Sequence, residues 1–126
     1  MLDRVITVSL IVVALIHILP VAGFLSVDRI AALYEIEIEE PNLEILMRHR
    51  AIMFGMLSAF LFYAAFNPSL QPIAFAMTFI SVLAFLYLAV TVGPYNAAIK
   101  RVVIADVVAL IVLVGGCAAW WLRQKQ

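Results

Sequence analysis

The chain has 126 residues, 67% of them hydrophobic and only 13% charged. A water-soluble domain of this length carries about a quarter charged residues, so the composition is that of a membrane protein. The formal net charge is zero, which leaves no electrostatic case for nucleic acid, and the single cysteine, Cys117, excludes an intrachain disulfide.

Val5 to Val27 holds no formal charge. A spanning helix needs about 20 apolar residues, and this block predicts a first helix over 4–25. It lacks a small-residue cleavage site and more apolar blocks follow it, so it reads as a span and not as a cleaved leader. The first connection, "SVDRIAALYEIEIEEPNLE", is long. Val27, Ile30, Ala31 and Tyr34 fall at i, i+3, i+4 and i+7, while Asp28, Arg29 and Glu35 fall elsewhere on the wheel. That spacing predicts a short amphipathic helix over 27–35, lying on the membrane interface. "EIEIEE" alternates but is too short to form a sheet alone, so it reads as an extended link.

Pro41 suits the first residue of a second helix over 42–66. Glu44 precedes Arg48 by four residues, the favourable order for a helical ion pair. Pro41 to Phe66 as a helix is about 39 Å long, against about 30 Å of hydrocarbon, so Arg48, His49 and Arg50 come near the membrane boundary. "NPSLQP" at 67–72 is a short turn that makes the second and third helices antiparallel neighbours. The third helix is expected over 72–92. "TVGPYNAAIK" is again short, punctuated by Gly93 and Pro94. The fourth helix is expected over 97–122, where Asp106 is the one charge between Val102 and Leu122. Trp120 and Trp121 near Arg123 suit an aromatic interface anchor. The expected fold is an all-α membrane protein, one domain over 1–126, with four antiparallel transmembrane helices and a short interfacial helix between helices 1 and 2.

Depth along the helices sorts the polar residues. His17, Arg48, His49, Arg50, Tyr95, Asn96, Lys100, Arg101 and Asp106 all belong to the end of the bundle reached by the first connection. The other end has little beyond Thr7, Ser9, the 67–71 turn and the termini. Asp106 lies well inside its helix. A lone carboxylate in hydrocarbon costs several kcal/mol, so it should face the bundle and find a partner. Lys100 and Arg101 point away from it on the wheel. Arg48 or Arg50 could grip it with two hydrogen bonds. Those two arginines stand about 200° apart, so only one can face inward and the other goes to the headgroups or to Glu44. Tyr95 and Ile99 share the face of Asp106 if the helix extends back that far, and Asn96 is placed to cap it. Gly55, Ser58, Gly115 and Gly116 suit close helix packing.

His17 and His49, at similar depth, would suit the two axial positions of a b-type haem. Two arginines bracketing His49 make it an awkward ligand, so haem ranks behind other occupants. There is no Glu-x-x-His or cysteine cluster for a metal, and no phosphate-cradling glycine loop.

"IHILP", "AALYEIEIEEPNLEILMRHRAIMFG", "AAFNPSLQP" and "GPYNAAIKRVVIADVVAL" together resemble a family of small four-span bacterial membrane proteins often labelled phosphopantetheine adenylyltransferase. That enzyme needs an α/β phosphate-binding fold and a paired-histidine nucleotide motif, and neither is here. More distantly the layout resembles DoxX-like four-helix membrane proteins, some associated with quinol oxidases. The resemblance implies a multi-pass fold in the bacterial inner membrane and supplies no activity.

The leading functional expectation is a binding protein. Its polar end (His17, Arg48, His49, Arg50, Tyr95, Asn96 and Asp106) would hold the head of an amphipathic ligand, a quinone or an anionic lipid. Membrane lipids are the expected surroundings, with a homo-oligomer or a membrane redox partner as further associations. One alternative is an accessory or assembly subunit without a ligand of its own. Another is a redox, haem-binding or isomerase-type membrane enzyme with His17 and Asp106 as acid and base.

Overall fold

The computed structural model describes residues 1–126, and the chain is all-helical. In order come α1 (Leu2–Ile18), a 3₁₀ segment (Leu19–Phe24), α2 (Val27–Tyr34), α3 (Pro41–Ala65), a 3₁₀ turn (Pro68–Leu70), α4 (Gln71–Val92) and α5 (Ala97–Arg123). Four helical stretches are long and apolar enough to cross a membrane: Leu2–Phe24, Pro41–Ala65, Pro68–Val92 and Ala97–Arg123.

The first stretch is not the continuous α-helix expected over 4–25. The α-helical pattern ends at Ile18 and the chain tightens to 3₁₀ from Leu19. Pro20 supplies the reason. It has no N–H to donate to Ile16, and its ring crowds that carbonyl.

α1 is the hub, touching both α3 and α5 extensively. Its buried residues are Ile6, Ser9, Leu10, Val13, Ala14 and His17, a stripe at helical spacing along its length. Small residues set the approach on both sides. A Cβ at Gly116 of α5 would stand 2.6 Å from Ser9 Cβ and 2.7 Å from its Oγ, so the α1–α5 contact closes to glycine distance there. Toward α3, Ser58 Oγ donates to the Ala14 carbonyl at 2.8 Å and Thr7 Oγ1 to the Ala65 carbonyl at 3.0 Å. Such bonds between helices are the polar adhesive available where lipid removes the hydrophobic drive for helix association. The core closes with Leu61, Phe75, Val82, Ala109 and Leu113.

α3 and α4 pack against each other far more sparsely than α1 packs on its neighbours. Between them runs a furrow of about 490 Å³ lined by Met53, Met56, Leu57, Phe60, Met77 and Ile80. The short turn joins the two helices, and bulky flexible side chains line the gap between them.

α2 starts at Ser26, whose Oγ accepts the Asp28 N–H at 3.2 Å. It buries Ile30 and Tyr34, and Gly23 makes room: a Cβ there would meet Ile30 Cγ1 at 2.6 Å. It ends at Glu35, which takes the left-handed conformation at φ 51°. α3 begins on Glu40, whose carboxylate accepts the N–H groups of Asn42 and Leu43, both at 3.0 Å. Those bonds, Asn42 first, hold the Glu40 carboxyl below its ordinary pKa.

Candidate functional site

A cavity of about 200 Å³ lies where α1, the 3₁₀ segment, α2, α3, α4 and α5 meet. His17, Arg50 and Asp106 all line it, joined by Tyr34, Phe54 and Ser81.

His17 is 3% exposed. Its Nδ1 lies 2.9 Å from the Val13 carbonyl oxygen. A carbonyl only accepts, so Nδ1 carries the proton, and in the neutral ring Nε2 holds a free lone pair. No side-chain polar atom in the protein is both sealed and unpartnered. Nε2 has no protein partner, so it opens on the cavity. The Phe54 ring sets the imidazole from the side, centroids 5.8 Å apart.

Arg50 is held by its neighbours within the chain. Its Nη1 donates to the Tyr34 hydroxyl at 2.8 Å. Its guanidinium lies 5.3 Å from the Tyr34 ring centroid and 4.7 Å from that of Phe54. Two ring faces and a phenol thus hold the cation in a mostly apolar wall. Phe54 can do this because it follows Arg50 by one helical turn.

Asp106 takes part in none of the three salt bridges and in no hydrogen bond. The expected pair between Asp106 and an inward arginine is therefore not formed. Arg50 shares the cavity with Asp106 and is the charge whose field reaches it, but its one hydrogen bond goes to Tyr34 of α2. Arg48 turns away altogether. Its Nη1 donates to Glu44 at 3.0 Å, its Nε to the Phe24 carbonyl at 2.9 Å, and its guanidinium sits 5.9 Å from the Phe24 ring centroid.

The remaining expected site residues divide. His49 is exposed and lines a separate shallow recess with Phe24, Glu44 and Arg48. One step along α3 from Arg50 turns it about 100° away from the cavity. His17 and His49 are therefore not brought together, as paired haem ligation would require. Tyr95 lies outside α5, which begins at Ala97, so it does not share the face of Asp106. It is exposed and lines none of these three cavities. Asn96 is the α5 cap: its Oδ1 accepts the Ile99 N–H at 2.8 Å. Its Nδ2 also donates to the carbonyls of Tyr34 at 2.8 Å and Glu35 at 3.1 Å. Asn96 thus ties the end of α2 to the start of α5 and positions Tyr34 without reaching the cavity.

Sequence reasoning missed Tyr34, Phe54, Ser81 and Arg101. Tyr34 read as one apolar tooth of an amphipathic helix, and nothing in its spacing links it to Arg50. Arg101 was expected to point away, yet it lines the cavity, and its guanidinium reaches Glu35 at 3.6 Å. Its stem follows the α5 face of Ala98, Val102 and Ala105 and carries the charge to the rim.

The site is a small chamber with two unused acceptors, the His17 lone pair and the Asp106 carboxylate, facing one restrained cation. Comparison with protein families, curated proteins and solved structures returns no match for this chain.

Proposed function

We propose that this is a multi-pass protein of the bacterial inner membrane, DoxX-like in layout, that binds an amphipathic ligand such as a quinone or an anionic lipid. In this reading the four long helices are antiparallel spans and α2 lies on the interface over the chamber. The span lengths and the burial of only Ile30 and Tyr34 on α2 support that arrangement. The binding reading rests on one observation. Asp106, deep in an apolar helix, has no partner within the chain and opens on a chamber that also holds His17 and Arg50. An intramembrane carboxylate is costly, and its position at a cavity marks a place where something else supplies the pairing. The head of the ligand meets His17, Asp106 and Arg50, and apolar helix faces take its tail.

Native mass spectrometry of the protein in mild detergent tests this. The expected result is an added mass matching a quinone or lipid, lost in Asp106→Ala and in Arg50→Ala while both variants stay folded. A bare protein, or variants that only fail to accumulate, would count against the binding reading and favour an accessory subunit with a structural polar cluster.

A further inference from the structure

The chamber and the α3–α4 furrow adjoin. Arg50, Phe54 and Ser81 line both. The chamber, at about 200 Å³, is below the ~300–1,000 Å³ typical of pockets that enclose a whole drug-sized molecule, so it admits a head and leaves the rest outside. The furrow, about 490 Å³ and walled by methionine, phenylalanine and leucine side chains, leads away from the same three residues. Methionine walls suit a flexible apolar chain because thioether side chains repack at low cost.

The polar groups of the chamber select the head. His17 Nε2 and the Asp106 carboxylate are acceptors without donors. Arg50 spends one of its five N–H donors on the Tyr34 hydroxyl, and Arg101 lies at the rim 3.6 Å from Glu35, so the chamber holds a fixed positive charge beside the two open acceptors. An anionic head would meet the Asp106 carboxylate, and a cationic head would meet the Arg50 guanidinium. An uncharged head carrying hydroxyl groups satisfies both acceptors and opposes neither charge.

We infer that the ligand is an uncharged, hydroxyl-bearing amphiphile with a single apolar chain. Its hydroxyls donate to His17 and Asp106, and its chain lies in the furrow between α3 and α4. This rests on the chamber being a ligand site; of the two ligand classes proposed above it excludes the anionic lipid by charge and keeps a quinone only in its reduced, hydroxyl-bearing form, because quinone carbonyls only accept.

The test is isothermal titration of the detergent-solubilised protein with four probes: 5-decylresorcinol, its dimethyl ether, decyl phosphate and 5-methylresorcinol. The first three share a chain and differ in the head, and the last keeps the hydroxyls and drops the chain. The expected result is that 5-decylresorcinol binds about ten-fold or more tighter than each of the other three. Asp106→Leu should collapse the ratio between the diphenol and its ether. Met77→Trp, which fills the furrow, should collapse the ratio between decyl and methyl diphenols and leave the methyl compound unchanged. Ether or phosphate binding as tightly as the diphenol would overturn the head assignment and leave the ligand site standing. Equal binding of the decyl and methyl diphenols would overturn the furrow as the chain's place. No binding of any probe would overturn the ligand site with it.

Discussion

The two ends of the helix bundle solve the same problem in opposite ways. At the end that carries the termini, every charge drawn toward the bundle is answered. Arg123, in the last turn of α5, donates to Asp3 of α1 at 2.8 Å and to Gln71 of α4 at 2.9 Å. Gln71 is 2% exposed and its carbonyl is taken up by that arginine. One guanidinium thus joins three helices. Outside this clamp, Lys125 lies over the Trp121 ring at 3.4 Å from its centroid. At the other end Arg50 is also gripped, but by aromatic groups of α2 and α3, and the Asp106 carboxylate that shares its cavity is left unpaired. The polar groups at the clamped end are paired inside the chain, whereas Asp106 is left unpaired beside a cavity, and the proposed binding role rests on that contrast.

The comparison breaks most severely at the close helix contact on the clamped side. Gly116→Val places a side chain where even a Cβ meets Ser9 at 2.6 Å and Phe75 at 3.1 Å. The expected loss is about 1–3 kcal/mol or more, read as a lower melting temperature in detergent. Next comes Arg123→Ala, which strands the buried Gln71 oxygen. The expected loss is about 1–3 kcal/mol, nearly all of it from Gln71, because Asp3 is largely exposed and its ion pair contributes little. Asp3→Ala should therefore leave the melting temperature almost where it was.

Ser58→Ala removes the bond to the Ala14 carbonyl and should lose about 0.6 kcal/mol, the usual size of an interhelical hydrogen bond in a membrane protein. Asp106→Leu sharpens the contrast by its sign. It removes an unpaired carboxylate from an apolar helix, so the melting temperature should hold or rise while ligand is lost. A destabilised variant would show that Asp106 serves packing like Arg123.

The smallest effect concerns Glu40. Its carboxyl titrates below the ordinary 4.5 because its ionised form accepts the backbone N–H groups that open α3. A depressed pKa contributes stability that is complete above the unfolded value and lost as pH falls through the folded one. Amide exchange at Asn42 and Leu43 should therefore quicken, relative to a Glu40→Gln control, only in that acid range.

The long helices were legible because length and apolar composition answer directly to the thickness of a bilayer. The polar end was legible because depth along a helix can be counted. Partners were not. Asp106 needed a partner on any sequence reading, and two arginines were within reach of the reasoning. Which way Arg50 turns was decided by Tyr34, sixteen residues away and on an element whose spacing spoke only of amphipathicity. Tyr95 and Asn96 are adjacent, yet one is exposed and the other ties α2 to α5, because α5 starts at Ala97, two residues past Tyr95, with Asn96 as its cap.

By itself the sequence determined that the chain is helical and has four stretches able to cross a membrane. It also determined the order of the polar residues along each helix. Those properties follow from local periodicity and from the composition of continuous segments. Only the tertiary structure decided that α1 is the hub and that α3 and α4 stand apart over a furrow. It also decided that Arg50 answers to Tyr34 and that Asp106 and the free face of His17 open on one chamber. These depend on how each helix is rotated about its axis and which helix it lies beside. Rotation is set by many small packing contacts between residues far apart in the chain, such as Ser9 against Gly116 and Ser58 against Ala14.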